Sequence, residues 1–243
     1  MQCVELREFP FGKIASAIGD KGGTGKTTLS HMMAHGLDLF RMHAVAILTD
    51  NLRDKLSKTK RNYLPFDARS DENLAQAVAR LRAVGHWTGS IDGGGNRPEM
   101  DRKLADLADL VILPFRDSHE DMRTVIRDLE RFPNAYALPS QSPINSWAEG
   151  SAQRSMNSLP VNDGHRILAP VYALSSSKLL LQDLPPTSLP RWLHNAAREI
   201  ALQVLELLGV DLPDTDWMAA GIQTQQRGAP ALMAAPAPSI LHA

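Results

Sequence analysis

Short apolar runs alternate along much of the chain with longer segments whose apolar residues recur every three or four positions. Residues 13–18 form a mostly apolar run that stops at Gly19, as a buried strand does, and residues 44–48 and 110–113 repeat the pattern. Residues 87–91 predict a further strand ending at Asp92, and 135–138 and 166–169 two more. Between them, 27–40 carries Leu29, Met32, Met33 and Leu37 at helical spacing, and 73–84 carries Leu74, Ala77, Val78 and Leu81. Residues 98–107, opening on a proline, 121–131 and 191–208, stopped by Gly209, predict the remaining helices. Residues 51–70 are polar and basic with no clear period. The stretch 139–164, rich in Ser, Asn and Pro, predicts a surface excursion.

Strands that are apolar throughout, alternating with helices, predict an α/β fold: one doubly wound, mostly parallel sheet with helices on both faces. The expected organisation is a lead-in over 1–12, one domain over 13–210 and an Ala/Pro-rich, disordered tail over 211–243. Ligands of such sheets bind beyond the carboxyl ends of the strands, where this chain places glycines and acids.

Composition narrows the chemistry. The 26 Lys+Arg and 27 Asp+Glu of the 243 residues nearly cancel, so contact with nucleic acid needs a local basic patch. One cysteine, Cys3, excludes an internal disulfide, a cysteine zinc site and an iron–sulfur cluster. No segment reaches the ~20 apolar residues of a membrane span, and charges occupy the first residues where a signal peptide needs apolar ones. The expectation is a cytoplasmic protein without stable membrane insertion.

Asp20-Lys-Gly-Gly-Thr-Gly-Lys-Thr-Thr28 stands between a predicted strand and a predicted helix, the context of a phosphate-binding loop. Glycines 22, 23 and 25, with Thr24 among them, let successive backbone N–H groups converge on phosphate oxygens, and the helix start adds its dipole. Lys26 is placed for the β- and γ-phosphates, the Thr27 hydroxyl for Mg²⁺ and Thr28 for the α-phosphate.

With its early lysine, Lys-Gly-Gly-x-Gly-Lys-Thr-Thr resembles the deviant phosphate loop of the ParA/MinD group of ATPases. The resemblance implies that Lys21 reaches across an ATP-dependent homodimer to the partner's phosphates, and it makes Lys21 and Lys26 catalytic. Asp50 takes the position of the acid that orients the attacking water and stands near Mg²⁺, although Leu48 replaces the acid that usually precedes it. Asp92, in Ser-Ile-Asp-Gly-Gly-Gly, resembles the Walker B acid that holds Mg²⁺ through a water. Ala108-Asp-Leu-Val-Ile-Leu-Pro114 is similar to a stretch characteristic of the group, with Asp109 structural. Ile167-Leu-Ala-Pro-Val171 resembles the adenine-contacting loop, which assigns Pro170 to the nucleotide.

The group implies slow hydrolysis used to partition DNA or position a cargo, with a stimulating partner protein, ParB-like or another adaptor. Arg53, Lys55, Lys58, Lys60 and Arg61, against Asp54 alone, form a basic stretch for non-specific DNA, to which Arg191 and Arg198 add. DNA binding would bring nucleoid association. A membrane-cycling, MinD-like protein is the alternative, although the proline-rich tail does not suit an amphipathic helix. A small-molecule ligase and a nucleotide-binding scaffold with little hydrolysis also remain open.

Overall fold

The computed structural model describes residues 12–50, 56–85, 87–95, 97–143, 150, 166–172 and 175–210. The lead-in up to residue 11, the tail, Arg53, Lys55 and most of the 139–164 stretch lie outside the described residues. The element order is β1 Lys13–Ala17, α1 Lys26–Leu39, β2 His43–Leu48, β3 Leu64–Asp67, α2 Asp71–Ala83, β4 Trp87–Asp92, α3 Pro98–Leu107, β5 Leu110–Phe115, α4 His119–Arg131 and β6 Ala135–Pro139. Two 3₁₀ turns, Ser175–Leu181 and Pro186–Ser188, precede the last helix, α5, Arg191–Leu207.

The six strands among the described residues join one parallel sheet in the order β3-β2-β4-β1-β5-β6. Side chains alternate across it with the period of two that a pleated strand imposes. Ile14, Ile18, Val45, Ile47, Ile91, Val111 and Leu113 face the side covered by α2, α3 and α4, where Leu74, Leu81, Leu104 and Leu129 meet them. The opposite side carries the small residues Ala15, Ala17, Ala44, Ala46 and Ser90. There α1 comes close enough for the Ser30 and Ser90 hydroxyls to lie 2.9 Å apart. Helix α5 closes over α1, and a Cβ on Gly36 would stand 2.0 Å from the Ala197 carbonyl oxygen, so this crossing requires glycine.

Local chemistry sets the helix starts. Ser70 accepts a hydrogen bond from the Asn73 N–H at 3.2 Å and Ser118 from the Asp121 N–H at 3.1 Å. Each therefore caps a helix that begins two residues earlier than the apolar period alone indicates, with acids in the first turn opposing the dipole.

Three expectations change. Strand β3 lies within the stretch that shows no period: it is short, edge-placed and only partly buried, and it contains Pro65, which a sheet edge tolerates. Strand β5 runs through Pro114 to Phe115. Its pairing with β1 ends at Ile112, so the missing proline N–H leaves no β1 partner unsatisfied. The strand expected over 166–169 is reduced to isolated bridges, Ile167 to Ala137 and Tyr172 to Ser142.

Candidate functional site

Between β1 and α1 the chain turns through a glycine loop. Gly23 and Gly25 have φ of +77° and +93°, a region that costs L side chains strain but glycine little. Gly25 is also the N-cap of α1 and supplies no side-chain cap, so the first helical N–H groups remain available to a ligand. From beyond β6, the Ser140 hydroxyl donates to the Thr24 carbonyl at 2.7 Å and the Gln141 amide to the Gly23 carbonyl at 3.1 Å. The loop is thus braced from a segment that the motif does not reveal.

Lys26 is 5 % exposed, and its ammonium donates to the Lys21 carbonyl at 2.6 Å. Burial weakens its hold on the proton, while Asp101, Asp92 and Asp20 oppose that effect. Asp101, on the first turn of α3, is 2 % exposed and takes the Gly19 N–H; burial pushes its carboxyl up to about 6 against the pull of Lys26. Sequence reasoning missed it, because an acid in a first helical turn reads as a dipole partner.

A cavity of about 440 Å³ opens over the loop. Gly22, Gly23, Gly25, Lys26, Thr27 and Thr28 line it, and Asp50, beyond β2, and Gly94–Gly95, beyond β4, face them. Thr24 stands apart from these: it is 4 % exposed and, with Lys21, lines a smaller hollow between the loop and α4.

Asp92 ends β4 in register with Ala17, the last residue of β1, which brings it beside the loop. It is buried; one carboxylate oxygen accepts the Gly94 N–H at 3.2 Å, and its carbonyl accepts the Thr49 hydroxyl at 2.7 Å. Arg97 ties the two acid-bearing loops together. Its guanidinium donates to the Thr49 carbonyl at 3.0 Å, to the Thr49 hydroxyl at 2.8 Å and to the Gly93 carbonyl at 2.6 Å. A Cβ on Gly94, at φ +68°, would stand 2.6 Å from that guanidinium. No family motif pointed to Arg97.

Thr27, Asp92 and Asp50 are hard oxygen donors, and Thr27 and Asp50 share one cavity. Such a set fits Mg²⁺, which keeps several waters and takes its other oxygens from phosphates.

Lys21 turns away from this cavity. Its ammonium lies 2.7 Å from a Glu120 carboxylate oxygen and 2.5 Å from one of Asp121, both of the same chain. Hydrogen bonds to these acids strengthen its hold on the proton. Burial would raise the Asp121 carboxyl, but Lys21, Arg116 and Ser118 outweigh it and hold it at about 2.

A second cavity of about 470 Å³ adjoins the first, with apolar walls from Leu29, Met32, Leu138, Val171 and Tyr172. Pro170 is half-buried and precedes these wall residues; Val171 and Tyr172 supply the surface that had been expected of Pro170.

The basic residues part company. Lys58, Lys60 and Arg191 are exposed, and Arg198 is half-buried beside Asn195. Arg61 is withdrawn from the DNA-facing set: its side chain is 2 % exposed, donates to the Leu180 and Gln182 carbonyls and pairs with Asp183. An arginine whose side chain is buried against two carbonyls and a carboxylate is a staple, and composition cannot separate it from a surface cation.

A glycine loop running from the sheet's interior into α1, with one acid just beyond β2 and another at the end of β4, is the arrangement of a P-loop α/β fold. More narrowly, the fold is that of the ParA/MinD-type P-loop ATPases. The chain is similar to the septum site-determining protein MinD of Pyrococcus horikoshii, solved with Mg-ADP, at 15% identity over 82% of this chain and 98% of that one, TM-score 0.58. It is similar to McdA of Cyanothece, solved with ATP, at 16% identity over 83% and 98%, TM-score 0.55. A putative plasmid partition protein of Borrelia burgdorferi, bound to AMPPNP, matches at 12% identity over 79% and 99%, TM-score 0.52. No family model matches the chain, and no curated protein matches it by sequence.

Proposed function

We propose that this chain is an ATPase of the ParA/MinD type that binds ATP with Mg²⁺, dimerises on it and hydrolyses it slowly to partition DNA or position a cargo. The observation that carries the reading is the convergence of the glycine loop, Lys26, Thr27, Thr28 and Asp50 on one cavity beside an apolar one. The first suits a triphosphate and the second a base.

Lys26 exchanges the Lys21 carbonyl for phosphate oxygens, a charge-assisted contact, while the surrounding acids oppose the weakening of its charge by burial. Thr27 and Asp92 would hold Mg²⁺, which when bound would offset negative charge on the phosphates. Asp50 faces the loop across the cavity and is the group that orients the attacking water. Arg97 fixes the loops that carry Asp50 and Asp92, so both acids are set before the nucleotide arrives.

Dimerisation rests on Lys21. Its acids on α4 are the counter-charges that it would give up for the partner's phosphates. Slow turnover suits a switch whose output is the lifetime of the dimer, and a partner protein that shortens this lifetime is part of the reading.

Light scattering with ATP, ADP or no nucleotide tests it. The wild type with Mg²⁺ and ATP doubles in mass, Asp50→Ala stays dimeric without releasing phosphate, and Lys21→Ala binds nucleotide as a monomer. Wild-type protein that remains monomeric in every nucleotide would overturn the proposal, and so would phosphate release by Asp50→Ala at the wild-type rate.

A further inference from the structure

The two cavities meet along a seam, and among the described residues only Gly25, Thr28, Gln141 and Lys178 line both. Gly25 and Thr28 belong to the loop and α1, and Gln141 braces the loop. Lys178 comes from the facing wall, the 3₁₀ turn Ser175–Leu181, and no motif drew attention to it.

Among the described residues no carboxylate pairs with Lys178, although Lys21, Lys103, Arg82 and Arg127 all have such partners. The side chain is exposed, yet its base is fixed. Leu180, two residues on, is 2 % exposed, and buried Arg61 donates to the Leu180 carbonyl and, at 2.9 Å, to that of Gln182. An ammonium on an anchored turn, opposite the N–H groups of a phosphate loop, sits where only its own tether limits contact with an anion.

We infer that Lys178 is a third cation of the nucleotide site, which contacts the α- and β-phosphates from the side opposite the glycine loop, with Arg61 as its positioning residue. Its place at the seam, level with Thr28, separates it from Lys26 within the phosphate cavity and from Lys21, which points to α4. It therefore acts on diphosphate and triphosphate alike within a single subunit. The inference rests on the nucleotide-binding reading above.

Calorimetric titration of the full chain with ATP, ADP and adenosine, each with Mg²⁺, tests it. Lys178→Gln weakens ATP and ADP about tenfold, the loss expected of one charge-assisted contact, and leaves adenosine unchanged, while Lys178→Arg restores both nucleotides. Thermal melts without ligand show whether each variant is folded. Unchanged ADP affinity in a folded Lys178→Gln, or an equal loss for adenosine, overturns the inference and leaves the parent reading standing. No binding of any nucleotide by the wild type removes both.

Discussion

Asp101 shows at the scale of one residue how the loop is held ready for a ligand. A carboxylate 2 % exposed in the body of the protein is costly unless something favours its charge, and here Lys26 and the Gly19 N–H only partly do so. Its folded value, about 6, lies above the ordinary 3.8. Between about 4 and 6 the folded chain therefore binds the proton more tightly than the unfolded one, and stability from this group grows as pH falls through that window. Above pH 6 that contribution is gone. Asp101→Asn should raise the melting temperature of the nucleotide-free protein at pH 7, by up to about 3 kcal/mol of stability, and remove the gain seen on acidification. Melting curves from pH 4 to pH 8 measure both, and a variant less stable than wild type at pH 7 would contradict the assignment.

The element that joins the nucleotide loop to the rest of the molecule is α1, and its far half is secured by a polar chain. Asn62 donates to the His35 carbonyl at 3.3 Å, which turns its amide oxygen toward His35 Nδ1 at 2.6 Å. That nitrogen is then the donor, so His35 Nε2 accepts from His194 Nδ1 of α5 at 2.9 Å. Tyr63, hydrogen-bonded to His31 at 2.7 Å, and Arg198 complete the surroundings. Burial holds His35 down at about 4, with His194 and Arg198 opposing its charge and Asn62 favouring it. Because the folded value lies below 6.5, its contribution is complete above pH 6.5 and is lost as pH falls toward 4, the opposite sign to Asp101. His35→Gln should lose less stability than wild type between pH 7 and pH 5, as read by denaturant melts; a parallel loss would rule out His35 as the titrating group. Little of this chain was legible beforehand. The phosphate loop, α1 and the buried strands announce themselves through glycines and apolar period, because local sequence dictates them. Strand β3, the inward turn of Arg61 and the bracket formed by Arg97 depend on partners distant in sequence, which spacing does not record. Asp50 and Asp92 stand out in the sequence because one follows and the other ends a readable strand, whereas nothing marks Lys178, whose turn has no period.

At the scale of the whole molecule, the balance of 26 basic and 27 acidic residues leaves no general field to hold DNA. Any retention must come from a local group of cations, and with Arg61 committed to the 3₁₀ turn the exposed members of the predicted set among the described residues are Lys58, Lys60 and Arg191. So small a set gives weak binding to a monomer, whereas a dimer doubles the cations on one ligand and raises avidity without new contacts. DNA binding should therefore follow ATP, and its salt dependence should report the number of phosphates neutralised. Each contact contributes about 0.9 to the slope of log K against log salt, so Lys58→Ala with Lys60→Ala should flatten it by about 1.8 per subunit. Fluorescence anisotropy with labelled duplexes of unrelated sequence, at several salt concentrations and with ATP or ADP, measures the slope. The same slope in the double variant would take Lys58 and Lys60 out of the interface, and no binding at low salt with ATP would leave the cargo to be something other than DNA. A parallel set of anionic vesicles then discriminates the membrane-cycling alternative, which predicts ATP-dependent sedimentation that the two lysine substitutions leave intact.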